Sequence, residues 1–106
     1  MLSAQCAVLA ALLLAPQPAA ARQPVKLERH DVVVDGHHLA VWEKRGAQPR
    51  AAILLLHGRT WSSLPNFDLH VAGEDRSFMD LLGNAGLDVF AIDLRGYGAT
   101  PRDPSA

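Results

Sequence analysis

Residues 51–56 read AAILLL, six apolar positions in succession, with Gln48-Pro49 before them and His57-Gly58 after. An unbroken run of that length, closed by turn formers, predicts a strand buried on both faces, as in a parallel sheet covered by helices. A second run, residues 89–92 within DVFAIDL, predicts a partner strand of the same kind. Between the two, Phe78, Leu81, Leu82 and Ala85 recur at i, i+3, i+4 and i+7, which predicts a short amphipathic helix with those side chains toward the core. Ser77 and Asp80 have capping-box spacing, with Asp in place of the preferred Glu or Gln, and Asn84 and Gly86 supply the stop. Strand, helix and strand make one βαβ unit with a right-handed crossover and two adjacent parallel strands.

Upstream, mixed apolar and polar positions from Val25 onward gain strand character through Val32, Val33 and Val34, and Asp35-Gly36 follows at once, the favoured two-residue hairpin turn. Residues 38–43, with Leu39, Val41 and Trp42 among polar neighbours, return as the second strand of an antiparallel hairpin. Residues 58–75 have no period; Trp61, Leu64, Phe67, Leu69 and Val71 are scattered through them. We read this stretch as a long, partly packed loop, a length that usually carries function. From Arg95 onward the chain is Gly- and Pro-rich loop.

The first 21 residues have a different character. Residues 7–15 are nine apolar residues in a row, too few for a bilayer span of roughly 20. Ala19, Ala20 and Ala21 then fit the A-x-A pattern that precedes signal-peptidase cleavage. We expect a signal peptide over 1–21, cleavage before Arg22 and export to a periplasmic or extracellular destination, although no Lys or Arg precedes the apolar run. Cys6 is the single cysteine and would leave with the leader, so the mature chain has neither a disulfide framework nor a thiolate metal site. The remaining residues, 22–106, permit one small domain. Ten Lys and Arg against eleven Asp and Glu give a net charge of −1, with no basic field for nucleic acid or an anionic membrane surface.

Chemistry is carried by two stretches at the carboxyl ends of the two predicted parallel strands: His57-Gly58-Arg59-Thr60-Trp61 and Asp93-Leu94-Arg95-Gly96-Tyr97-Gly98. That edge of an open α/β sheet is where ligands bind. With these two stretches, an H-G-x loop and a D-x-R-G-x-G loop joined by a helix, and with the hairpin before them, the sequence resembles the α/β-hydrolase fold family from about residue 27 to 103. The resemblance implies the N-terminal part of an α/β-hydrolase sheet, incomplete as it stands: one antiparallel hairpin followed by one βαβ unit. It also implies that the backbone N–H of Arg59 is one of two oxyanion-hole donors, with Gly58, Thr60, Trp61 and Phe67 as candidates to line a substrate pocket. The activity implied is hydrolysis of an ester, amide or related acyl substrate through an acyl-enzyme, with a small acyl compound as partner and no cofactor.

The same resemblance exposes what is missing. A nucleophile would stand in a G-x-S-x-G elbow, and no such string occurs; Ser62, Ser63, Ser77 and Ser105 all lack the flanking glycines. The family's order is nucleophile, acid, histidine, so His57 does not match the catalytic histidine. We expect this 106-residue chain to be inactive alone, with a non-catalytic remnant or small binding module as the alternative. Other readings are blander. His57 is expected to hold its loop by hydrogen bonds, and Asp93 and Arg95 to form a charge pair or turn brace with Gly96 and Gly98 as turn residues. Trp61 and Phe67 could equally pack the loop. Gly96-Tyr97-Gly98 lacks the third glycine and following helix of a dinucleotide fingerprint. His30, His37 and His38 read as a solvated turn rather than a metal site, because neighbouring strand side chains point to opposite faces.

Overall fold

A computed structural model describes residues 22–102. The expected leader, Cys6 and the last four residues lie outside the described part. Strands β1 (Leu27–Val34) and β2 (His37–Arg45) form the hairpin. Its turn has φ of 49° at Asp35 and 78° at Gly36, the pair of left-handed conformations that matches strand twist and that glycine adopts without strain. β3 (Ala51–Leu56), helices α1 (Ser63–Phe67) and α2 (Phe78–Asn84), and β4 (Leu87–Ile92) follow. The sheet order is β1-β2-β4-β3. β4 lies between β2, to which it is antiparallel, and β3, to which it is parallel. β2 extends beyond the expected 38–43 because Lys44 and Arg45 pair with Val89 and Asp88 of β4.

Cross-strand register sorts the side chains into two faces. Ala40, Trp42 and Lys44 of β2 share a face with Val89 and Ala91 of β4 and with Ile53 and Leu55 of β3. Met79, Phe67 and Leu82 pack on that face, so both helices cover it. The opposite face presents Val32, Val34, Leu39, Val41, Phe90, Ile92, Leu54 and Leu56. This corrects the expectation that β3 is buried on both sides. Leu55 is buried, whereas Leu54 and Leu56 are 57% and 61% exposed, because neither described helix crosses to their side.

α2 is present, but its buried face is Met79, Asp80 and Gly83, while Phe78 and Leu81 are exposed. The expected apolar stripe loses to a polar contact. The Asp80 carboxylate turns inward to accept from Lys44 Nζ at 2.7 Å and from the Val25 amide at 2.9 Å, which rotates the helix relative to the simple apolar count. Ser77 caps the helix, its Oγ accepting from the Asp80 amide at 2.9 Å. The box is half formed, since the Asp80 carboxylate serves Lys44 instead of returning to Ser77. The stretch 58–75 also needs correcting: it contains α1, a helix too short to leave a period in the sequence.

Among the described residues, nine buried polar or charged side chains outnumber five buried hydrophobic ones. The helical layer is therefore joined to the sheet by polar contacts as well as by apolar packing, with Ser63 Oγ and Asp88 Oδ1 left without a partner among the described residues. At the centre, the Lys44 ammonium lies 2.6 Å from Asp68 Oδ1 and 2.7 Å from Asp80 Oδ1, and Ser77 Oγ donates to Asp68 Oδ1 at 2.5 Å. This cluster ties β2 to α2 and to the end of α1.

One-sided burial of β3 has a direct test. Leu55→Ala should cost about 2–5 kcal/mol of stability in urea unfolding. The double variant Leu54→Gln, Leu56→Gln should stay within about 0.5 kcal/mol per site while suppressing concentration-dependent association measured by light scattering.

Candidate active-site edge

The loops that follow β3 and β4 meet at one edge of the sheet, where parallel strands deliver their carboxyl ends side by side. His57 is the first residue beyond β3 and is buried. Its Nε2 accepts from the Leu94 amide at 3.0 Å, and its Nδ1 lies 2.7 Å from the Gly58 carbonyl oxygen. Accepting at Nε2 fixes the tautomer, so Nδ1 carries the hydrogen and donates to Gly58 O. The Trp61 amide approaches the same oxygen at 3.5 Å. In a trans peptide the C=O and N–H point in opposite directions. Turning the Gly58 carbonyl toward His57 therefore turns the Arg59 N–H away from it, and that amide donates to none of the described groups. Arg59 and Thr60 are exposed, and nothing stands within 4 Å of a Cβ built on Gly58.

Asp93 organises the second loop. It is 2% exposed and its carboxylate accepts from three donors: Trp42 Nε1 at 2.9 Å, the Ser63 amide at 2.8 Å and the Ala99 amide at 3.0 Å. Its amide donates to Ala40 O at 2.9 Å, extending the β2–β4 pairing. Its carbonyl accepts from Thr100 Oγ1 at 2.6 Å, while the same Oγ1 accepts from the Ala40 amide at 2.9 Å. Residues 93–100 thus form a closed loop pinned at both ends. Gly98 has φ of 51°, and a Cβ there would stand 2.3 Å from Asp93 Oδ2. The second glycine of D-x-R-G-x-G is needed because the carboxylate fills the space a side chain would take.

Asp93 therefore pairs with amide and indole donors, and no Asp93–Arg95 ion pair occurs among the described contacts; Arg95 is exposed. The two loops also touch through the His57 and Tyr97 rings, 5.0 Å apart and tilted by 57°. Trp61 is 56% exposed on the first loop. Phe67 instead packs against the cluster of Leu55, Met79, Val89 and Ala91. None of Gly58, Thr60, Trp61 and Phe67 lines one of the described cavities.

Two groups of potential metal ligands exist among the described residues. Asp68 and Asp80 hold the Lys44 ammonium, which already supplies their cation, and His70 Nε2 lies 3.1 Å from Asp68 Oδ1. Glu28, His30 and Glu43 are matched by neighbours: Lys26 lies 2.7 Å from Glu28, and His30 Nε2 lies 2.6 Å from Glu43. Beside them Arg45 lies 3.1 Å from Asp88. Sequence reasoning missed Trp42, Ser63, Thr100 and the Lys44 cluster. The available signal was alternation: Ala40, Trp42 and Lys44 occupy one face of β2, so a lysine stood where the pattern required an inward residue.

Neither a protein-family model nor a curated protein sequence matches this chain. Solved structures do. A "predicted CIB-like hydrolase" from Thermoplasma acidophilum matches with a TM-score of 0.59 at 20% identity, over 76% of this chain and 36% of that one. A thioesterase domain from the curacin biosynthetic pathway matches with a TM-score of 0.54 at 20% identity, over 74% of this chain and 25% of that one. The chain carries part of an α/β-hydrolase fold. Its α/β-hydrolase portion spans between a quarter and about a third of these two proteins. The mixed sheet with its hairpin and parallel β3–β4 pair is the part shared.

Two of the buried carboxylates, Asp93 and Asp68, make the stability of this segment pH-dependent. Burial pushes the Asp93 carboxyl up, but the Trp42, Ala99 and Ser63 hydrogen bonds outweigh it and hold the group below the ordinary 3.8. Burial likewise opposes ionisation of Asp68, and the Lys44 and Ser77 hydrogen bonds again bring the net shift below 3.8. A depressed folded-state value contributes stability that is complete above the unfolded value and is lost as pH falls through the folded one. Urea midpoints should accordingly be flat from about pH 7 to 5 and fall steadily below 3.8. Lys44→Met should cost about 3–5 kcal/mol at neutral pH by stranding two buried carboxylates, with much of that loss recovered in acid.

Proposed function

We propose that this segment supplies the oxyanion loop of an exported serine-type hydrolase acting on ester, amide or related small acyl substrates. The observation that carries the reading is the Gly58–Arg59 peptide. Its carbonyl is engaged by His57 Nδ1 at 2.7 Å, so the Arg59 N–H is directed away from His57 at the strand-end edge and makes none of the described bonds. A preorganised amide donor of this kind stabilises the negative charge that develops on a tetrahedral intermediate. His57 acts as the residue that aims this donor, because both of its nitrogens are occupied by backbone groups of the two loops. Likeness to a CIB-like hydrolase and a thioesterase domain supports an acyl-transfer reading. The apolar run 7–15 and the alanines at 19–21 support export.

In this reading the nucleophile, its acid and the catalytic histidine come from polypeptide beyond the segment, as does the second oxyanion donor. The reading frame downstream of codon 106 should encode G-x-S-x-G within roughly 30 to 50 residues, the span of one more helix and strand. Expressed with that downstream sequence, the protein should hydrolyse p-nitrophenyl butyrate, and alanine at the elbow serine should abolish turnover. Arg59→Ala, which keeps the N–H, should change turnover only a few-fold. Arg59→Pro, which removes it, should lower turnover on the order of 100-fold. The 106-residue chain alone should show no hydrolysis above a blank. An unrelated downstream sequence, or equal effects of the two Arg59 variants, would contradict the proposal.

A further inference from the structure

We propose that Asp93 is a positioning residue that couples the two loops of the strand-end edge, so that the Arg59 donor and the 93–100 loop keep one fixed spacing. The inference rests on the hydrolase reading for its consequence, but not for its geometry. A carboxylate that is 2% exposed and has no cation beside it among the described residues must be solvated by donors, and the donors come from three different places. Ser63 N–H is in the first turn of α1, directly after the His57–Ser62 stretch; Ala99 N–H is in the second loop; Trp42 Nε1 is on β2. One side chain therefore fixes the far end of the oxyanion loop against the far end of its neighbour. His57 fixes the near ends through the Leu94 amide. The Arg59 peptide lies between these two anchors on its own loop.

Gly98 gives the coupling a second handle. Because its Cβ position is 2.3 Å from Asp93 Oδ2 and its φ is 51°, an alanine there must displace the carboxylate or the loop. Gly98→Ala leaves the charge and the Ser63 amide unchanged, yet it pushes on the atom group that binds Ser63. A local turn glycine would affect only its own loop. A glycine packed on a shared anchor must affect both.

The test has two arms. In the 106-residue chain, amide exchange and 1H–15N shifts of Ser63, Ala99 and the Trp42 indole are followed in Asp93→Asn and Gly98→Ala. Each variant should accelerate exchange at both Ser63 and Ala99 by about 10- to 100-fold, the loss expected for a charge-assisted hydrogen bond. Trp42→Phe keeps both amide contacts and serves where the other variants fold poorly. It should raise the pH at which the Ser63 and Ala99 amides titrate together. In the protein expressed with its downstream sequence, Asp93→Asn should lower kcat about 10- to 100-fold with KM within about 3-fold. Val89→Ala, a core change remote from both loops, should leave kcat within about 2-fold below its unfolding temperature. Independent behaviour of Ser63 and Ala99, or a Gly98→Ala effect confined to residues 93–100, would overturn the coupling even if hydrolysis is found. Coupled amides without any hydrolysis would leave the coupling standing and remove the proposed function instead.

Discussion

A buried carboxylate, Asp93, with no cation beside it among the described residues is the constraint around which the strand-end edge is arranged. Taking Asp93 out of water costs far more than the fold can spare unless hydrogen bonds replace the lost solvation. Three N–H donors do so, and each comes from a different element: β2, the start of α1 and the 93–100 loop. Satisfying one charge thus immobilises the start of α1, the 93–100 loop and the Trp42 ring at once. The glycine at 98 follows from the same need, since the carboxylate and a Cβ cannot share that space.

The helical layer solves the opposite problem with the opposite means. Lys44 rises from the middle of a covered sheet face, and two aspartates and a serine from the α1–α2 region converge on it and on each other. A buried ion cluster of this kind contributes little net stability compared with an apolar replacement of the same shape, but removing one member is costly. Its effect here is specificity. It selects which side of α2 faces the sheet, overriding the apolar side the sequence pattern favours, and it places Asp68 at the end of α1 so that the first loop is held at both ends.

The hairpin, the parallel pair and the intervening helix were legible because their signals are local: a Val-rich run before Asp35-Gly36, and two apolar runs with a capped heptad-length stretch between them. The two strand-end stretches were legible as loops at the ends of the parallel strands, and His57 hydrogen-bonds to backbone groups of both. What could not be read was direction. Phe78 and Leu81 have the spacing of a core stripe and stay 43% and 37% exposed, because the contact that orients α2 joins residues 36 positions apart. Leu54 and Leu56 belong to an apolar run and lie exposed, because both described helices pack on the other face of the sheet. Nor did the sequence reveal that Asp93 would choose Trp42 and two amides over the nearby Arg95, a choice made by the closed 93–100 loop and not by charge.

The orientation of one peptide plane, Gly58–Arg59, decides whether this edge can serve as an oxyanion site. Under the proposed function, a crystal structure of the chain extended by its downstream reading frame and treated with a serine-directed phosphonate would show where that plane points. The account predicts the Arg59 nitrogen at about 2.7–3.1 Å from the phosphonyl oxygen, with the Gly58 carbonyl still accepting from His57 Nδ1. A Gly58 carbonyl turned toward the phosphonyl group, or an Arg59 amide bonded elsewhere in the chain, would contradict it.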